Sequence, residues 1–152
     1  MSLCVLAGVA TFSADVPIVP LSVCEVLHDL PAQEGKSVAV LGRYSSRESG
    51  RWMGEQACDP AVEAPQLWLV ERLTDGPKPP DNFELDAAAL NKKLAEMRRH
   101  TTLGKFRFGT PDYDRWAVVF GEVKKRQGED AKKAAADLVY RGSGVVIFLT
   151  PQ

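Results

Sequence analysis

The sequence predicts a mainly β domain, a small closed barrel of five strands with two helices, and three observations predict it. Short β-branched and aromatic runs, punctuated by Gly, Pro, Asn and Asp, recur from residue 36 to residue 149. Two of those runs, Val38 to Tyr44 and Ala117 to Val123, share one pattern, apolar residues leading into a glycine at the same offset (Gly42, Gly121). Strands that coil tightly around a small barrel need a glycine or a bulge where they bend. The third observation is the order of elements: helix, three strands, helix, two strands.

Each element follows from local chemistry. Ser22-Val23-Cys24-Glu25 is a capping box, in which Ser22 accepts from the Glu25 N–H and the Glu25 side chain reaches back. Leu21 and Val26 flank it as a hydrophobic staple, Val23, Val26, Leu27 and Leu30 make one apolar stripe, and Pro31 is expected to stop the helix. Lys36–Arg47 and Arg51–Cys58 read as strands joined by a turn at Glu48-Ser49-Gly50, and Gln66–Arg72 as a third strand. Asp59–Pro65 is a loop, and the Pro-rich Thr74–Asn82 an irregular surface segment. Asp86 caps a second helix ending near His100, with Leu90, Leu94 and Met97 as its stripe. Lys105–Phe108 is expected to form a short strand. Arg115–Arg126 is a central strand, apolar on both faces from Trp116 to Phe120, and Glu129–Ala136 contributes a helical turn or two. Leu138–Leu149 is the last strand, broken at Gly142-Ser143-Gly144.

Without the first helix, strand-strand-strand-helix-strand-strand is the order of the oligonucleotide/oligosaccharide-binding (OB) type, a five-stranded Greek-key barrel. The helix between strands three and four should close one end of it. Residues 21–152 form this domain, with an extra N-terminal helix. Residues 1–20 are a separate segment. Leu3–Phe12 is apolar with the length of an export-signal core, and Ser13-Ala14 supplies small residues after it, yet no Lys or Arg precedes it. The segment is either the remnant of an export signal or an additional strand. Cys4 lacks the small preceding residue of a lipidated cysteine.

At 152 residues the chain fits one domain able to bury a core without metals. Its 19 Lys and Arg balance 20 Asp and Glu, for a net charge of −1. That balance supplies no global field for gripping phosphates or an anionic membrane. No apolar run reaches the ~18 residues of a membrane span.

The chain resembles bacterial OB-like domains of the tRNA-anticodon-binding type, and more narrowly a group of uncharacterised bacterial proteins, many with export signals. The residues that carry the resemblance are Ser22–Leu27 (SVCEVL), Glu34–Gly42 (EGKSVAVLG), Cys58, Leu67–Leu69 (LWL) and Trp116–Val123 (WAVVFGEV). It spans about residues 21–149, and its motifs are mostly structural.

Ligands of such barrels lie across the second and third strands and their flanking loops. There the sequence offers Tyr44, Arg47, Arg51, Trp52, Trp68 and Arg72, rings and guanidiniums that can stack bases or sugars and bind phosphate. The ligand face proper is expected from Tyr44, Arg51, Trp52, Trp68 and Arg72, and it requires Trp52 or Trp68 on the outer surface. The competing reading places the tryptophans in the core. Cys24 and Cys58 are expected close in space, with Cα atoms under about 7 Å apart, either bonded in an oxidising compartment or as two buried thiols. Cys24 and His28 share a helix face, but with Cys58 they lack a fourth ligand for a structural zinc, so no metal and no cofactor is expected. No phosphate loop, nucleophile elbow or metalloprotease motif occurs. The chain therefore reads as a non-catalytic binding or interaction module in the periplasm or outside the cell, with no convergent cluster of titratable side chains. Its partner would be a protein or small ligand, and the alternative is a single-stranded nucleic-acid-binding domain.

Overall fold

The computed structural model describes residues 17–150, so the expectations for residues 1–14, Cys4 among them, lie outside the described residues. A two-residue strand β1 (Leu21–Ser22) runs parallel to β2 and leads into α1 (Val23–His28). The capping box forms: the Ser22 hydroxyl accepts from the Glu25 N–H and the Glu25 carboxylate from the Ser22 N–H, both at 3.1 Å. The chain breaks at Asp29 and makes one more turn, α2 (Leu30–Gln33). Pro31 does not end the first helix as expected. It sits in the first turn of α2, where its missing N–H would have had no partner in any case.

The barrel consists of β2 (Ser37–Arg47), β3 (Gly50–Gly54), β4 (Gln66–Glu71), β5 (Tyr113–Lys125) and β6 (Ala136–Tyr140). β2, β3 and β4 form an antiparallel meander, β4 pairs in parallel with β6, β6 is antiparallel to β5, and β5 closes on β2 from Ser37↔Glu122 to Ser46↔Tyr113. This is the predicted OB-type connectivity. The last strand is broken where the sequence places the break. Tyr140 pairs with Gly121 and Val146 with Val119, so Arg141–Val145 loops out and β7 (Val146–Leu149) resumes on the same edge of β5.

Alternation divides each strand between two surfaces. The inner row, including Val40, Tyr44, Met53, Leu67, Val119 and Leu138, forms one core with Val23, Val26 and Leu27 of α1. Gly42 lies in that row, and a Cβ there would stand 2.9 Å from Val23 Cγ2, so the glycine admits the helix. The outer row of β2 and β5 (Ala39, Leu41, Trp116, Val118, Phe120) forms a second core with Leu90, Leu94 and Met97 of α3 (Ala87–Met97), capped by Asp86. The expectation that the second helix closes the barrel is therefore corrected. α1 packs into the barrel core and α3 covers an outer face, because β2 and β5 carry bulky apolar residues on both sides.

Lys105–Phe108 is not a strand. Nearby backbone groups are taken by side chains instead, with the Gly104 N–H donating to Asp114 at 2.6 Å and Arg43 donating to the Thr102 carbonyl at 2.9 Å. The helical expectation near residue 130 is met by a 3₁₀ turn at Gly128–Lys132.

Candidate ligand-binding face

On β3 and β4 the outer row contains Trp52 and Trp68, which sit opposite one another in register. Their rings stack with centroids 5.6 Å apart and planes inclined by 12°, and both stay half-buried. Gly50 makes this possible. Its φ is +146°, and a Cβ there would lie 2.4 Å from Trp68 Cζ2, so the indole rests flat against bare backbone.

Guanidiniums flank the pair. Arg47 lies 5.5 Å from the Trp52 ring and 4.2 Å from that of Phe106, and Arg126 lies 5.7 Å from Trp68. The outcome is a transverse row, Phe106–Arg47–Trp52–Trp68–Arg126, held by cation–π contact. Arg47 is fixed by Asp114 at 2.9 Å and by the Tyr113 carbonyl at 3.0 Å. Burial works to raise the Asp114 carboxyl, but the Gly104 N–H, Ser45 and Arg47 outweigh it and hold the group below its usual range. At the other end Arg126 faces Asp137 at 3.4 Å and Asp130 at 3.7 Å. Burial pushes the Asp137 carboxyl up, with Asp130 adding and Arg126 opposing. Arg126 Nη1 and Asp137 Oδ1 are buried without a hydrogen-bond partner among the described residues.

Above this row opens a cleft of about 560 Å³, lined by Ser49 of the β2–β3 turn, Trp52, Gln66, Trp68, and Arg126 and Lys133 of the β5–β6 connection. A flat π surface edged by cations can stack a planar ring and pair with an anionic substituent.

Of the five residues expected on the ligand face, the structure brings together Trp52 and Trp68. Tyr44 and Arg51 belong to the inner row, at the barrel mouth. There Tyr44 stacks on Tyr113 at 6.1 Å and meets Phe148 edge-on at 5.3 Å. Burial pushes the Tyr44 hydroxyl up to about 12, against the opposing charge of Arg51. The neighbouring Tyr140 phenol, followed by Tyr44, pushes the Arg51 guanidinium above its ordinary value. Arg72 pairs with exposed Asp75 beyond the end of β4. The sequence did not mark Arg126, which follows Lys124 and Lys125 in a basic run interleaved with acids, or Phe106, which no periodicity marks.

A second cleft, of about 380 Å³, lies at the junction of α1, α3 and the β3–β4 loop. Cys24 and Cys58 are disulfide-bonded there with Cα atoms 5.5 Å apart, within the expected distance. Glu55, its side chain only 4% exposed, accepts from the Cys24 N–H at 2.6 Å and bonds His100 Nε2 at 3.1 Å. Glu25, Lys93 and Glu96 also line this cleft, with Lys93 paired to Glu25 at 2.6 Å. Titratable groups do converge here, against the expectation. Their visible partnerships tie three chain segments together. The Cys24–His28–Cys58 set does not assemble, since a His28 ring nitrogen bonds the Pro60 carbonyl at 2.7 Å. Cys24, Cys58 and Glu55 have ligand atoms within 4.8 Å of one another, but both sulfurs are committed to the disulfide. No protein-family model matches the chain, and no curated protein or solved structure proved significantly similar to it.

Proposed function

We propose that this protein is a non-catalytic binding module that takes a flat-ringed ligand in the cleft over β3 and β4. One observation carries the reading: Trp52 and Trp68 are stacked on the outer surface and left half-exposed under an open cleft. Large aromatics usually find cover in a core, and a solvated pair flanked by cations matches the composition of ring-binding surfaces. Arg126 and Lys133 at its edge supply polar partners for substituents on such a ring. The Cys24–Cys58 bond supports an oxidising, extracytoplasmic setting.

A second reading, single-stranded nucleic acid, is favoured by the placement of Arg47 and Arg126 on either side of the tryptophan pair, with Lys132 and Lys133 at the cleft. Bases would stack on the indoles while phosphates met the cations. Tryptophan fluorescence titrations with short homopolymeric oligonucleotides and with neutral oligosaccharides test both. Saturable quenching by either probe that disappears in Trp68→Ala is the expected result, and no response to any ring-bearing probe removes the platform reading. Affinity for oligonucleotide that falls steeply with salt selects nucleic acid, whereas salt-independent binding selects a neutral ring ligand.

A further inference from the structure

The near-neutral chain hides a local asymmetry. Residues 98–109 (RRHTTLGKFRFG) carry Arg98, Arg99, Lys105 and Arg107 and no acidic residue. The same stretch exposes three large apolar side chains: Leu103 and Phe106 at 38% each, and Phe108 completely. Phe108 stands out by position. The Thr110 N–H bonds back to the Arg107 carbonyl at 3.3 Å, making Phe108 and Gly109 the central residues of a β-turn. Gly109, at φ +84°, has the left-handed backbone that the third position of a type II turn requires. Loop tips of this kind normally carry polar or small residues, and this one projects a phenyl ring into water directly after Arg107.

We propose that the turn at Arg107–Thr110 is a membrane-docking tip, which inserts Phe108 into the interface of an anionic lipid bilayer while Lys105 and Arg107 meet the headgroups. The chemistry matches at both levels. Aromatic rings partition to the interfacial depth of a bilayer, and each Lys or Arg near an anionic surface adds electrostatic attraction that salt screens. A lipid surface is favoured over a nucleic-acid strand on shape. A strand follows a groove with a stacking platform, as over Trp52 and Trp68, whereas a fully exposed ring at the apex of a turn is convex. Aliphatic Leu103, exposed in the same stretch of chain, offers nothing to a base. Anchoring by one small tip is weak and reversible. No residue of the Arg107–Thr110 turn lines the β3–β4 cleft, so the tip stands or falls independently of the ligand reading.

The test is co-sedimentation of the full chain with large vesicles of phosphatidylcholine alone and of phosphatidylcholine with about a third phosphatidylglycerol. Binding is expected only to the anionic vesicles. Phe108→Ser should weaken it about tenfold or more, and Lys105→Gln with Arg107→Gln should do the same and remove its salt dependence. In Phe108→Trp, anionic vesicles should add a blue-shifted emission component that wild-type protein does not show. Trp68→Ala should leave vesicle binding unchanged. Lys105, Arg107 and Phe108 are exposed, so the variants at these positions fold. No binding to anionic vesicles at low salt overturns the proposal, as does binding that Phe108→Ser leaves intact. A Phe108→Ser variant that loses oligonucleotide affinity but has no vesicle affinity to lose assigns the tip to nucleic acid instead.

Discussion

The outer surface of the barrel carries tryptophans on two faces, and they have different fates. On β2 and β5, Trp116 lies with Leu41, Val118 and Phe120 under α3 and is 3% exposed. On β3 and β4, Trp52 and Trp68 have each other, two guanidiniums and the bare backbone of Gly50 beneath an open cleft. Both faces are apolar by composition. What distinguishes them is cover: a helix was supplied for one and none for the other. An apolar surface that the fold buries contributes to stability, and one it leaves open is available for a partner.

The largest expected effect tests that division directly. Trp116→Ala removes a buried indole and should cost about 3–5 kcal/mol in urea unfolding. Trp68→Ala removes a half-exposed one and should cost about 1–2 kcal/mol while abolishing ring binding. Equal costs would mean that both faces are core, and the comparison would collapse.

Next in size is the disulfide, which secures the inner core rather than either face. Cys24 and Cys58 are 34 residues apart in the chain, and closing a loop of that length stabilises by about 3–4 kcal/mol on the chain-entropy account. Cys58→Ser should lower the urea midpoint accordingly and leave the affinity of the still-folded protein for ring ligands unchanged. A loss of affinity in folded Cys58→Ser would show that α1 and the β3–β4 face are coupled.

Strand order, the capping box, the Asp86 cap and the break near Gly142 were legible because each depends on residues close in sequence. The central character of β5 was legible because Trp116–Phe120 is apolar at every position. That same property concealed the role of α3. A strand apolar on both sides must be covered twice, and nothing local states which helix covers which side. Alternation separated Leu67 from Trp68 but left open which of them faced in. Residues brought in from distant segments, Arg126 beside Trp68 and Glu55 between Cys24 and His100, depend on closure of the barrel and had no local signature.

Gly50 lies where the bare face is most sensitive. Gly50→Ala adds a Cβ within 2.4 Å of the Trp68 ring at a φ of +146° that L-residues rarely adopt. The indole must lift, the stack with Trp52 must open, and stability should fall by about 1–2 kcal/mol. Ring binding should fall with it. Near-ultraviolet circular dichroism, which reports coupled tryptophans, should lose intensity. An unchanged spectrum together with wild-type binding would show that the stack does not form the site.

The smallest effect distinguishes the two ends of the row, where Arg47 and Arg126 each face an aspartate of opposite tendency. Asp114 is held below the ordinary carboxyl value of 3.8, so its contribution to stability is complete above that value and is lost as pH falls through its folded-state pKa. Asp137 is pushed above 3.8, so it penalises the folded state at neutral pH, and that penalty is relieved as pH falls through its raised pKa. Asp114→Asn should therefore cost about 1 kcal/mol at pH 7 and flatten the acid loss of stability below about pH 4. Asp137→Asn should cost nothing at pH 7 and make the acid loss steeper, because its compensating gain is gone. Urea midpoints of the three proteins from pH 7 down to the acid transition resolve these slopes. If the two variants shifted the acid limb in the same direction, the anchored Arg47 end and the strained Arg126 end would be electrostatically equivalent, and polar substituents of a ligand would have no reason to prefer Arg126.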